Sequence, residues 1–313
     1  MRRTHWISAA WSLLILGLLV PSSQAGSLGV AGYYNEFIFN DSTRSNVSTQ
    51  GQVAIGGNAT FNNFTIGTGI TKSNIQGTNS LIVGGNLGGS QAVLSGYGNA
   101  EYGSKSINRI YYNGGGSGSS GKETEFFSSA QSYLQDESKY LATIDATGTT
   151  KIQWGGITLS GTDGQLNVFD LSGSDLSKAN QFTIDAPSTS TVVVNISGTS
   201  DSMANFGFTL KGGIEASHIL YNFYEATSLK ITNVAVQGTV LAPFASVNFN
   251  NGQVNGNLIA SSLSGTGTTL NNLFAGNLPT AVATPEPSSI AMVLSGCLMA
   301  SLPALRGRFR RTS

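Results

Sequence analysis

A chain of 313 residues with 40% apolar content and a single cysteine is long enough to bury a core without covalent staples. Its one cysteine, Cys297, and two histidines, His5 and His218, exclude a disulfide framework, thiolate metal sites and histidine metal trios. Charged residues make up 10% of the chain and the basic ones between its two ends are scattered singly, which offers no basic face for phosphate and argues against nucleic acid as a partner.

The first 25 residues read as a secretory signal peptide. Arg2 and Arg3 form the positive start, Ile7 to Val20 the apolar stretch, and Ser23-Gln24-Ala25 supplies small residues before a cleavage point between Ala25 and Gly26. An uncleaved anchor is the competing reading, and the shortness of the apolar stretch argues against it. Two of the sixteen basic residues lie in this leader and four at the C-terminus, leaving ten against fifteen acids, so the exported body carries about minus five.

Residues 26–280 read as one mainly β domain. Forty glycines with abundant Ser, Thr and Asn suit short strands joined by tight turns. Runs such as Thr191 to Ile196, Phe206 to Leu210 and Ser246 to Phe249 have strand length and composition. Gly238-Thr239-Val240-Leu241-Ala242-Pro243 matches Gly256-Asn257-Leu258-Ile259-Ala260-Ser261, and Gly276-Asn277-Leu278-Pro279 opens a third partial copy. A spacing of about twenty residues is one coil of a parallel β-solenoid. Ile55-Gly56-Gly57-Asn58 recurs as Val83-Gly84-Gly85-Asn86 at a longer spacing, one coil with an inserted loop. Val240 and Leu258 are therefore expected at equivalent inward positions of adjacent parallel strands; a β-sandwich is the alternative fold.

One segment departs from this pattern. Phe126, Phe127, Ala130, Tyr133, Leu134, Leu141 and Ile144 recur at three and four residues, predicting an amphipathic helix over 123–145 packed against the β body. The glycine-rich stretch 114–121 before it is a connector. It lacks the Gly-Lys-Ser/Thr sequence a phosphate loop needs.

Residues 281–313 end the chain with Pro285-Glu286-Pro287, an apolar run over 288–305, and Arg306, Arg308, Arg310 and Arg311 within 306–313. The run is about eighteen residues, near the lower limit for spanning a bilayer core of roughly 30 Å, and the arginines are expected on the cytoplasmic side. This order of parts resembles the PEP-CTERM sorting signal of Gram-negative bacteria. The resemblance implies a transmembrane helix in the precursor, processing by an exosortase-type protease, and delivery to the cell surface or extracellular matrix.

The body carries a second resemblance. Leu28-Gly29-Val30-Ala31-Gly32-Tyr33-Tyr34-Asn35-Glu36-Phe37, Gly51 to Ala59, Val193-Val194-Asn195-Ile196-Ser197-Gly198, Tyr221-Asn222-Phe223 with Ala226-Thr227, and Gly238 to Pro243 are together similar to the choice-of-anchor A domain. That resemblance implies an exported adhesive domain of solenoid-like form, with exopolysaccharide or other biofilm matrix components among its partners and no catalytic residues to carry over.

Asp145, Asp163, Asp170, Asp175, Asp185 and Asp201 are spread through the middle of the chain, not paired as a glycosidase needs. His218 has no nucleophile-elbow motif to serve and reads as a surface or interface residue near Tyr221. No cofactor is expected. A calcium cage would have Asp163 and Asp170 as its nearest candidates, although no calcium-loop motif is present. Tyr33, Tyr34, Tyr97, Tyr102, Tyr111, Tyr112 and Trp154 are divided between core and surface in a way the sequence does not sort. The reading is a non-enzymatic adhesive protein; the alternatives are a polysaccharide-modifying β-helix enzyme and an ice- or mineral-surface binder, the last expected to show a flat, regular Thr-rich face.

Overall fold

The computed structural model describes residues 28–121 and 125–279. The leader with its cleavage point at Ala25 and Gly26, the Pro285-Glu286-Pro287 motif, the apolar run 288–305 and the terminal arginines lie outside the described residues. Among the described residues, no helix is long and apolar enough to cross a membrane.

Alternation builds the body. In Thr239–Asn250, Val247 and Phe249 are buried while Ser246 and Asn248 are exposed, as period-two side-chain geometry requires. Stacking such strands in parallel gives a three-faced β-solenoid. Val240 stands beside Leu258 and Ile55 beside Val83, both pairs in parallel register and buried in the same interior core. The longer second spacing comes from an insertion at 67–78 between Ala59–Ile66 and Asn79–Leu94.

We name the faces A, B and C in the order the chain meets them. Face A contains Glu36–Ile38, Val53–Ile55, Ile219–Asn222, Thr191–Ser197 and Leu166–Ser172 among others. Face B contains Ser42–Ser48, Ala59–Ile66, Ser228–Thr232 and Ser200–Ala204. The long strands Asn79–Leu94, Thr239–Asn250 and Leu258–Gly265 turn from A into B. Face C consists of two separate sheets, one of three strands and one of four. The four-stranded sheet ends in an antiparallel hairpin of Thr149–Gln153 with Gly156–Ser160.

The chain does not climb from one end of the stack to the other. Glu36–Ile38 pairs on one side with Val53–Ile55 and on the other with Leu258–Gly265. Ser42–Ser48 is held likewise between Ala59–Ile66 and Leu258–Gly265. The first coil is thus the middle of the molecule, with residues up to 120 stacked on one side and residues from 149 on the other. The place above Leu258 that the third repeat copy would have filled is taken by Glu36–Ile38. Gly276-Asn277-Leu278-Pro279 therefore forms no coil. Residues past 271 turn back instead, Ala275 N–H donating to Ser217 O at 2.7 Å and Asn277 N–H to Thr191 Oγ1 at 2.8 Å.

The two arms are bridged by helix α1, Glu125–Leu141, shorter than the 123–145 expected because the chain leaves the helix after Leu141; residues 122–124 lie outside the described residues. Phe127, Ala130, Leu134 and Leu141 cover the outer side of face A and form a second core with Phe37, Ala54, Val193, Leu220, Leu241 and Ile259. Ile144 has left the helix but still packs there. Asn195 and Asn222, buried in this layer, clamp the helix end: Asn195 Nδ2 donates to Leu141 O at 2.9 Å and Asn222 Nδ2 to Ser138 O at 2.8 Å. They add a second donor to the last carbonyls of the helix, where the backbone bonds from Ala142 N–H to Ser138 O and from Ile144 N–H to Leu141 O are long at 3.3 Å.

One coil has a polar interior. Glu36 from face A meets Arg44 from face B at 3.0 Å with both side chains fully buried. Arg44 also donates to Gly265 O at 2.9 Å and to Gly267 O, and its guanidinium lies 5.5 Å from the Phe64 ring and 5.8 Å from that of Phe249. From face C, Thr269 Oγ1 reaches Glu36 Oε1 at 3.2 Å and Thr49 Oγ1 at 2.5 Å. Breaking a buried pair strands a charge. Arg44→Met is therefore expected to lower unfolding stability by about 3–5 kcal/mol, while the double change Arg44→Met with Glu36→Leu recovers most of the loss. Urea denaturation of the three proteins and wild type reads this, and a double variant no better than the single would contradict it.

Candidate surface-binding face

Face A is sealed by α1, whereas face B presents its outer side to solvent. The strand register places Ser228, Ser246 and Ser262 in one row across neighbouring coils. A second row holds Ser202, Lys230, Asn248, Ser264, Thr43 and Thr60. Rows step about 4.8 Å from strand to strand, and outward side chains along one strand lie about 6.6 Å apart. Most of these side chains are short, so the surface they define is level, with Lys230 as its main interruption.

The side chains of this face are ordered by one another. Ser262 Oγ donates to Ser246 Oγ at 2.9 Å, Asn248 Nδ2 to Ser264 Oγ at 3.2 Å, and Asn250 Nδ2 to Asn248 Oδ1 at 2.6 Å. The corner that ends the face repeats a single device. Asn46, Asn63, Asn205, Asn233 and Asn251 all have φ between 51° and 61°, a left-handed conformation that Asn tolerates better than other non-glycine residues. Their amides stack as a ladder: Asn233 Nδ2 to Asn205 Oδ1 at 2.9 Å, Asn251 Nδ2 to Asn233 Oδ1 at 2.6 Å, and Asn63 Nδ2 to Asn46 Oδ1 at 3.3 Å. Turning these five coils in the same conformation keeps their strands of face B aligned. Face C offers a smaller row, Thr158, Thr183 and Thr209 in register.

A family model described as "Putative Ice-binding-like adhesive domain" matches residues 27–271. The chain belongs to this family. Solved structures with similar architecture include an ice-binding protein from the Antarctic ascomycete Antarctomyces psychrotrophicus, 13% identical, covering 82% of this chain and 100% of its own, with a TM-score of 0.36. The DUF3494 domain of an ice-binding protein of Shewanella frigidimarina is 14% identical, with coverage of 82% and 99% and a TM-score of 0.38. An ice-binding protein from an Arctic yeast is 12% identical, with coverage of 83% and 98% and a TM-score of 0.40. These identities and scores are too low to transfer a property to this chain. No curated protein matches it.

Of the residues singled out in the sequence of this ice-binding-like adhesive domain, Asp170 and Asp201 both lie near Tyr224, and the other candidates serve separate places. Asp163 Oδ1 accepts from Gln165 N–H at 2.6 Å and serves the turn before Leu166–Ser172, whereas Asp170 lies further along that strand. The two do not form a calcium cage, and among the described residues no three His, Cys, Asp or Glu side chains group as metal ligands. His218 Nδ1 lies 3.2 Å from Ser217 Oγ in a short turn leading into Ile219–Asn222. Of the aromatic residues, Tyr34 is buried, Tyr102 and Tyr112 pack on the interior core, and Tyr33, Tyr97, Tyr111 and Trp154 are exposed. Trp154 is 88% exposed at the tip of the face C hairpin. Sequence reasoning missed the rows of face B, although the alternation Ser246-Val247-Asn248-Phe249-Asn250 carried the signal.

Two carboxylates stand out by burial. Desolvation raises Glu137 on α1 to about 7, and raises Asp201 to about 6 with help from the neighbouring charge of Glu225. A folded-state value above the unfolded one means that the protonated form is favoured by folding. Its stabilisation is complete below the unfolded value and is lost as pH rises through the folded one. Asp201→Asn should therefore be more stable than wild type at pH 8, by roughly 1–2 kcal/mol after allowance for solvent screening, and show no such advantage at pH 4. Thermal melts at both pH values without added divalent cations test this; equal differences at the two would contradict it.

Proposed function

We propose that this is an exported adhesive domain that holds its bearer to an ordered, hydrated solid, with ice as the surface, through face B. The observation that carries the reading is the level array of hydroxyl and amide side chains in register over successive coils. Family membership supports adhesion and ice-binding character over catalysis. Face B mixes Ser, Asn and Thr where a flat, regular Thr-rich face was expected of an ice binder. Regularity here comes from backbone stacking and from the hydrogen bonds between the side chains. Such an array binds by many weak contacts made at once, and its prior ordering lowers the entropy lost on binding.

The test is partition of the purified protein into slowly growing ice, together with its effect on ice recrystallisation. Wild type should be enriched in the ice fraction, and Thr43→Tyr or Thr60→Tyr, which lift a ring above the middle of face B, should reduce enrichment at least tenfold. Thr209→Tyr on face C is the control and should leave it unchanged. Exclusion of wild type from ice, or equal behaviour of all variants, overturns the reading. Retention on exopolysaccharide in place of ice would move the ligand to the matrix.

The export route belongs to the same proposal and rests on the sequence of the two ends, including the choice-of-anchor A and PEP-CTERM resemblances. A leader cut at Ala25 and an exosortase-type protease acting at Pro285-Glu286-Pro287 would deliver the domain to the outside of a Gram-negative cell. The exported form should then lack Cys297 and the arginines from Arg306 onward. Intact-mass measurement of the released protein reads this directly, and a complete C-terminus in the medium contradicts processing.

A further inference from the structure

The corner between faces A and B in the coils farthest from the N-terminal arm brings Asp201 and Glu225 close enough to act on one another. Asp201 shares the inward parity of Met203 in Ser200–Ala204 and is 5% exposed. Its Oδ1 presses against two glycines of adjacent coils: a Cβ on Gly173 would lie 1.7 Å from that oxygen, and one on Gly198 2.4 Å from it. Only glycine leaves room for this carboxylate. Its Oδ2 is buried and has no hydrogen-bond partner.

Glu225 approaches the same place from the next coil. Its Oε2 accepts the Gly198 N–H at 3.1 Å, so both carboxylates converge on one residue. Tyr224 stands beside them, and Asp170, Ser172, Asn195, Ser197 and Tyr224 line an adjoining cavity of about 190 Å³. The charged and titratable groups that act on one another here are Asp170, Asp201, Tyr224 and Glu225. Among the described residues the carboxylate that forms a salt bridge is Glu36, with Arg44, in a different coil. As an anion, a buried carboxylate with an unpartnered oxygen next to a second carboxylate is unfavourable, and either a proton or a cation joining the two relieves it.

We propose that this corner is a binding site for a hard divalent cation of the calcium class, held between Asp201 and Glu225. Neutral oxygens of the corner and water complete the shell, since calcium takes six to eight oxygen ligands in flexible geometry. The site is separate from face B. Occupied, it ties three successive coils together through Gly173, Asp201 and Glu225, and the charge that opposes burial of Asp201 is compensated.

Terbium luminescence is the direct probe, because Tyr224 is placed to sensitise a lanthanide bound between the two carboxylates. Titration of the purified protein with terbium at pH 7.5, excited through tyrosine, should give saturable emission that calcium displaces. Emission should fall at least tenfold in Asp201→Asn and in Glu225→Gln, while Tyr224→Phe should lose emission yet keep a calcium-dependent rise in melting temperature. Asp201→Asn removes an unpaired charge and is expected to fold, so its melting temperature should no longer respond to calcium. The proposal is overturned if wild type shows neither displaceable emission nor a calcium-dependent melt, or if both responses persist in the two carboxylate variants.

Discussion

The structure depends on one layer, the buried contact of Arg44 with Glu36 that closes the first coil onto the last. Most of the solenoid interior is aliphatic or aromatic, and such layers discriminate poorly between one register and the next. A coil placed one step out of position would still bury its Val, Leu and Phe side chains. It would not bury Arg44 beside Glu36, Gly265 O, Gly267 O and Thr269 together. The ion pair is imperfectly satisfied even in place, since Arg44 Nε and Glu36 Oε2 have no partners. Its contribution is therefore to specificity, because other pairings of this coil would bury Arg44 and Glu36 without Gly265 O, Gly267 O and Thr269 to partner them, rather than to a large net gain in stability.

That constraint has to act over a long stretch of chain. Glu36 pairs with Leu258 and Ser42 with Leu263, contacts more than two hundred residues apart, which makes closure of the seam a late and entropically demanding step. Helix α1 shortens the search. By lying along face A, clamped by Asn195 and Asn222 at one end and packed through Phe127 against Phe37 at the other, it holds both arms to one axis. Covering face A in this way also decides which broad surface is left open, and that surface is face B.

Much of the architecture was legible in the sequence, because a coil is a local object. Gly238 and Gly256 gave the period, and the alternation around Val247 and Phe249 gave the inward side. The spacing of Phe127, Ala130, Leu134 and Leu141 gave the helix. The order of the coils was not legible. Nothing in Glu36-Phe37-Ile38 marks it as the neighbour of Leu258, and the Gly276 copy of the motif suggested a different one. Face B was hidden for a related reason: Thr43, Ser264 and Asn248 are ordinary surface residues until register places them in a row. Asp201 did carry a signal, since it occupies the same strand parity as Met203, and an acid at an inward position of a solenoid calls for compensation.

The chemistry of face B also limits how it can bind. Ser246, Ser262, Asn248 and Asn250 already hydrogen-bond to one another, so each has only part of its capacity to offer a ligand, and exchanging a water for a ligand atom gains little at any one of them. Strength has to come from matching many positions at once, which a rigid surface of fixed repeat achieves and a flexible polymer does only after losing its own conformational freedom. Truncating a single side chain should then matter less than disturbing the plane, because one raised group separates all of its neighbours from a flat partner. This is why a solid, whose own spacing is fixed, suits face B better than a soluble glycan.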